Sequence, residues 1–97
     1  MTTKMRPTPP GEFINEDILI ELNITQEQLA KSLGVSRRTI NQLVNEKRKI
    51  TADVALRLGK FTKTTPELWL NLQMAIDLWD ASYNNNAINF IQPFIVA

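Results

Sequence analysis

The sequence predicts an all-α domain of five helices, closed by a short extended strand at its C-terminal end. Three observations carry that prediction. Apolar residues recur at helical spacing in segments that each open on a capping residue or a proline: Pro10, Thr25, Ser36, Thr51 and Thr65-Pro66. The final stretch, AINFIQPFIVA, alternates instead, with Ile88, Phe90 and Val96 on one parity and Ile91 and Ile95 on the other. Its 97 residues, 43% hydrophobic and 22% charged, suit one modest globular core rather than a disordered chain.

Residues 1–9, with Pro7 and Pro9, read as an extended, flexible arm. Helix one begins at Pro10, where a missing N–H costs nothing, and runs to about Leu22. Ile14, Ile18 and Leu22 are four apart and are expected to face the core. Glu12 with Glu16, and Asp17 with Glu21, are like-charge neighbours at i, i+4, which slightly weakens a helix. They suit a solvated face or a dock for a basic partner. A carboxylate pair can also do acid–base work or hold a hard metal ion. The chain has no histidine and nothing else converges there, so neither catalysis nor a metal site is assigned.

Thr25 to Thr51, TQEQLAKSLGVSRRTINQLVNEKRKIT, organises the rest. Thr25 caps a helix over Gln26–Leu33 whose Leu29 and Leu33 share a face. Gly34 supplies positive φ and stops it. Ser36 caps a second short helix, Arg37–Val44, with Ile40, Leu43 and Val44 pointing inward together. Ala30 is small enough for the helices to cross closely. Residues 25–45 are thus a helix-turn-helix.

The face opposite the inward stripe carries Arg38, Asn41, Gln42 and Asn45, with Arg37 beside them. Arg pairs with guanine O6/N7 and Asn or Gln with adenine N6/N7, and such a helix reads mainly with its N-terminal residues. Arg37, Arg38, Thr39, Asn41 and Gln42 are therefore the base-reading set. The loop Asn45–Ile50 places Lys47, Arg48 and Lys49 where backbone phosphates would pass. Ser36 and Asn45, at the ends of the second helix, join that phosphate set. The bland alternative is a solvated polar face with an incidental basic loop.

Thr51 caps helix four, Ala52 to about Phe61, with Ala55, Leu58 and Leu56 as candidate core. Thr65-Pro66 opens helix five, expected to reach about Ser82. Its residues Leu68, Leu72, Ala75 and Trp79 form one apolar stripe, assigned to the core. Trp69, Gln73 and Ile76 form a second, assigned to a subunit contact because aromatics are enriched in interfaces. Asn84-Asn85-Asn86 breaks the helix, and Pro93 confines any following strand to an edge. The organisation is an arm over 1–9, a domain over 10–82 and a tail over 83–97. The expected dimer-contact residues are Trp69, Ile76, Trp79, Ile88, Phe90, Ile91 and Phe94. The tail's partner stays open between its own domain, a second subunit and another protein.

Net charge is only +1, but it is unevenly spread. Residues 25–51 set Lys31, Arg37, Arg38, Lys47, Arg48 and Lys49 against Glu27 and Glu46, a balance of +4. Residues 1–24 balance to −2 and residues 52–97 to −1. Positive charge sits on the one motif that would approach phosphate. Lys4 and Arg6 would allow the arm a minor-groove role, although disorder is the simpler reading. There is no cysteine, no apolar run near the roughly 20 residues of a membrane span, and no signal-like stretch. A cytoplasmic protein without membrane contact or cofactor is expected. The three glycines, at 11, 34 and 59, are scattered and cradle no phosphate, so no enzyme is expected.

Over about 50 residues the motif resembles the Cro-like phage-repressor (XRE, Cro/lambda-repressor-like) family. That likeness implies a Cro-like five-helix fold, with Gln26 on backbone phosphate and Arg37, Arg38 and Gln42 on bases. Pro10-Gly11-Glu12, Ile50 to Leu58 (ITADVALRL), Thr65 to Gln73 (TPELWLNLQ) and Asp77-Leu78-Trp79 further resemble HigA-type antitoxins of toxin–antitoxin modules. Pro9, Leu68 and Ile76 depart from that pattern, where His, Phe and Tyr are frequent. The resemblance implies a dimer that represses its own operon and neutralises a HigB-type messenger-RNA-cleaving toxin. A repressor of the same family with no toxin partner is the alternative, and a dimeric interaction module is the third.

Overall fold

The computed structural model describes residues 5–94. Helix α1, Pro10–Phe13, opens on a proline and winds on without a break as a π-helical segment over Ile14–Ile20. Then come α2 (Gln26–Leu33), α3 (Arg37–Val44), α4 (Ala52–Thr62) and α5 (Pro66–Tyr83). A 3₁₀ turn, Asn86–Phe90, follows. The all-α five-helix architecture is the one expected.

Its starts are set locally. The Thr25, Ser36, Thr51 and Thr65 side chains each accept a hydrogen bond from the backbone N–H three residues on. At Thr25 the cap is reciprocal: Gln28 N–H donates to Thr25 Oγ1 at 3.0 Å, and Thr25 N–H donates to Gln28 Oε1 at 2.8 Å. Gly34 takes φ 73°, ψ 32° and ends α2. The core draws on every helix: Ile14, Ile18 and Leu19; Leu29, Ala30 and Leu33; Ile40 and Leu43; Val54, Ala55 and Leu58; and Trp69, with Ile50 from the loop.

The first helix departs from its expected register. Glu21 N–H donates to Glu16 O at 3.1 Å and Ile24 N–H to Leu19 O at 3.0 Å, both i→i+5 spacings. That wider winding turns Leu19 inward beside Ile18. The helix has ended by Leu22, which lies in the turn before Asn23 (φ 54°) and is 53% exposed. Leu56 is likewise exposed, and Val44 is only half-buried.

Gly11 marks the closest approach of α1 to α3. A Cβ there would lie 2.2 Å from the backbone oxygen of Leu43 and 2.9 Å from that of Val44. Those atoms are backbone and cannot swing aside. Gly11→Ala should therefore destabilise the fold by about 1–3 kcal/mol, as overpacked sites do. The urea midpoint measures it, and an unchanged midpoint would mean that α1 and α3 separate more easily than this packing implies.

The two stripes of α5 depart in part from their expected roles, although Leu72 packs against the core as expected. Trp69 is only 4% exposed, and its Nε1–H donates to Thr64 Oγ1 at 3.1 Å. Ile76 is buried and Gln73 half-buried, whereas Leu68 and Ala75 face outward. Trp69 and Ile76 are thus enclosed by their own chain and offer no surface to a second subunit. The buried ring still satisfies its N–H, which is the usual condition for enclosing an indole.

At the tail, no strand forms among the described residues. The backbone makes the 3₁₀ turn and becomes extended at Ile91 (φ −75°, ψ 125°), with no partner strand. Ile95 and Val96, which shared the alternation, lie outside the described residues.

Candidate nucleic-acid interface

Burying Ile40 and Leu43 aims the opposite side of α3 at solvent. Arg37, Arg38 and Asn41 are exposed there, Gln42 and Thr39 are half-buried, and Asn45 is exposed at the helix end. The Arg37, Arg38 and Lys47 side chains make no hydrogen bond or ion pair with any described residue. Three cations close to one helix are therefore free to meet an anion.

The other expected residues are tied into local networks. Asn41 Nδ2 donates to Gln26 Oε1 at 3.2 Å, joining α3 to the first turn of α2. Thr39 Oγ1 lies 2.9 Å from Ser36 Oγ, which also accepts from Thr39 N–H at 3.1 Å. Asn45 Nδ2 donates back to Asn41 O at 2.9 Å. Arg48 Nε donates to Gln42 Oε1 at 2.9 Å, and Lys49 Nζ pairs with Asp77 Oδ1 at 3.2 Å. Ser36, Asn45 and Arg48 keep exposed surface, but each already has an intramolecular role.

The basic loop is held from beneath by α5. Gln73 Oε1 accepts Ile50 N–H at 2.8 Å, while Gln73 Nε2 donates to Asp77 Oδ1 at 3.0 Å. Arg6 Nε and Nη2 donate to the two Asp80 oxygens at 3.0 and 2.9 Å, and Nη2 also reaches Glu46 Oε1 at 3.3 Å. These hydrogen bonds hold the Asp80 carboxyl below its ordinary range and raise the Arg6 guanidinium. Arg6, expected on the arm, is thus fastened across the end of α3, and Lys4 lies outside the described residues. Sequence reasoning did not assign Gln73, Asp77 and Asp80 to the site. Their spacing was the available signal, since residues 73, 77 and 80 share a helix face.

Among the described residues, no three His, Cys, Asp or Glu side chains gather to hold a metal ion, and no helix is long and apolar enough to cross a membrane. What the chain does offer is a capped helix pair, turned at a left-handed glycine, presenting a cationic second helix. This is the build of the Cro-like helix-turn-helix class. A helix-turn-helix family model matches residues 16–69. An uncharacterized HTH-type transcriptional regulator of Haemophilus influenzae is 44% identical over 79 residues, 81% of this chain and 74% of its own. Antitoxin HigA-1 of Vibrio cholerae is 40% identical over 97 residues, 98% of this chain and 90% of its own. The structure of Pseudomonas aeruginosa antitoxin HigA with the higBA promoter superposes with a TM-score of 0.85 at 38% identity, covering 93% of this chain and 100% of that one. The chain belongs to the XRE helix-turn-helix family, among the HigA-type antitoxins.

Proposed function

We propose that this protein binds operator DNA as a dimer, represses its own operon and neutralises a HigB-type messenger-RNA-cleaving toxin in the cytoplasm. The observation that carries the DNA reading is the outward face of α3, where Arg37 and Arg38 stand exposed at the helix start with no hydrogen-bond or ion-pair partner among the described residues. A recognition helix entering the major groove reads base edges with those residues, and Thr39, Asn41 and Gln42 continue the set. Gln26, Ser36, Asn45, Lys47, Arg48 and Lys49 supply phosphate contacts around it, which fix register rather than sequence. Of these, Lys47 is the least encumbered and Lys49 has to share itself with Asp77.

For the dimer, the remaining candidates are Trp79, Ile88, Phe90, Ile91 and Phe94. Trp79 stacks on Tyr83 with ring centroids 4.7 Å apart, and every residue from Asn84 to Phe94 is exposed. A two-fold pair would set two α3 helices against half-sites about one DNA turn apart. For the toxin, the exposed acids Glu12, Glu16, Asp17 and Glu21 offer a basic partner complementary charge away from α3. The second reading is repression without a toxin; the H. influenzae relative is named as a transcriptional regulator. Coexpression with the product of the neighbouring gene separates the two, by rescue of growth and copurification.

Lys47→Ala tests the phosphate assignment. It should weaken promoter and scrambled duplexes alike, and lower the slope of log K against log salt by about 0.9. Titrations at several salt concentrations measure this. An unchanged slope would remove Lys47 from the interface.

A further inference from the structure

We infer that Arg48 decides which base Gln42 reads, and that this base is guanine; the inference rests on the operator-binding reading above. A glutamine amide is two-faced, with donors on Nε2 and an acceptor on Oε1, and so by itself it matches adenine, which shows a donor N6 beside an acceptor N7. Here the chain removes that freedom. α3 ends in a tight reversal: Lys47 N–H donates to Gln42 O at 2.8 Å, and Glu46 takes φ 58°. The reversal folds the loop back along the last turn, while Ile50 is anchored in the core and by Gln73. Arg48 is thereby brought beside Gln42, and its Nε donates to Gln42 Oε1 at 2.9 Å. A guanidinium has only donors and stays protonated, so the amide atom facing it has to be the oxygen. Turning the amide over would set N–H against N–H. Gln42 accordingly offers the groove its Nε2 donors, beside the other N–H groups of Arg48, which meet no described residue. Guanine alone among the bases presents two major-groove acceptors, O6 and N7, whereas adenine would oppose this donor pair with its N6 amino group. Arg48 is then a positioning residue for specificity rather than a plain phosphate contact.

The experiment is selection from a randomised double-stranded oligonucleotide pool by the full chain, Gln42→Ala and Arg48→Met. The position whose preference collapses in Gln42→Ala is the one that Gln42 reads. The full chain should prefer guanine over adenine there by about tenfold. Arg48→Met should cut that preference to about twofold or less and leave the other positions unchanged, a pattern that a general loss of affinity does not produce. Adenine at that position in the parent, no position altered by Gln42→Ala, or an Arg48→Met protein that binds more weakly but keeps its guanine preference would each overturn the inference. Should the full chain enrich no sequence at all, the operator reading itself fails.

Discussion

Ile40→Ala is expected to destabilise the protein by about 2–5 kcal/mol, a large share of the stability of a domain this size. Ile40 is completely enclosed, on the inward side of the helix that carries the reading face. Deleting its outer carbons loses their burial and leaves a hole that the short, doubly anchored α3 cannot close. Arg38→Ala, which removes a solvent-facing side chain from the same helix, should melt like the parent. Urea unfolding of the three proteins reads this directly. Equal midpoints would refute the inward stripe and the helix assignment that rests on it.

Truncation after Asn86 should dissolve the proposed dimer and weaken promoter binding by about 100-fold or more, because linked half-sites bind far more tightly than separate ones. The described part of the deleted segment contributes nothing to the core: none of its residues is buried, and Phe94 is 92% exposed. Yet Ile88, Phe90, Ile91 and Phe94 are too apolar to be left in water without inviting association. A dimer that covers them explains both facts, so the monomer's own unfolding should change little. Sedimentation and promoter titration of the truncated chain are the measurements. A shortened protein that stays dimeric with full affinity would show that α5 alone makes the contact.

Much of the fold was legible because its signals span three or four residues. The Thr25, Ser36, Thr51 and Thr65 caps each act on the N–H three positions on, and Gly34 needs only its own φ. Ile40 and Leu43 lie on one face of a single helix, so periodicity located both. The misplacements have other causes. Leu22 was read at a spacing of four, but the π-helical winding changes that spacing within the segment itself. Trp69 and Leu68 are adjacent on a helix apolar on several sides, and it is the packing of α5 into the shared core, with the Thr64 hydroxyl, that decides which one turns inward. The networks beneath the reading face were out of reach for the same reason. Arg6 meets Asp80 across 74 residues and Ile50 meets Gln73 across 23; the face shared by residues 73, 77 and 80 is a local pattern, but nothing local names the partner that each meets. The left-handed turn at Glu46, which brings Arg48 to Gln42, has no glycine to betray it.

The central claim is that the outward face of α3 reads a specific DNA sequence, and Arg38→Ala tests it most directly. Anisotropy titrations at one fixed salt concentration would compare the parent and variant on duplex from the protein's own promoter and on a scrambled duplex. Arg38→Ala should lose about 1–3 kcal/mol on the promoter duplex, one good base contact, with a much smaller change on the scrambled one. An Arg38→Ala protein that binds its promoter as tightly as the parent would contradict that claim.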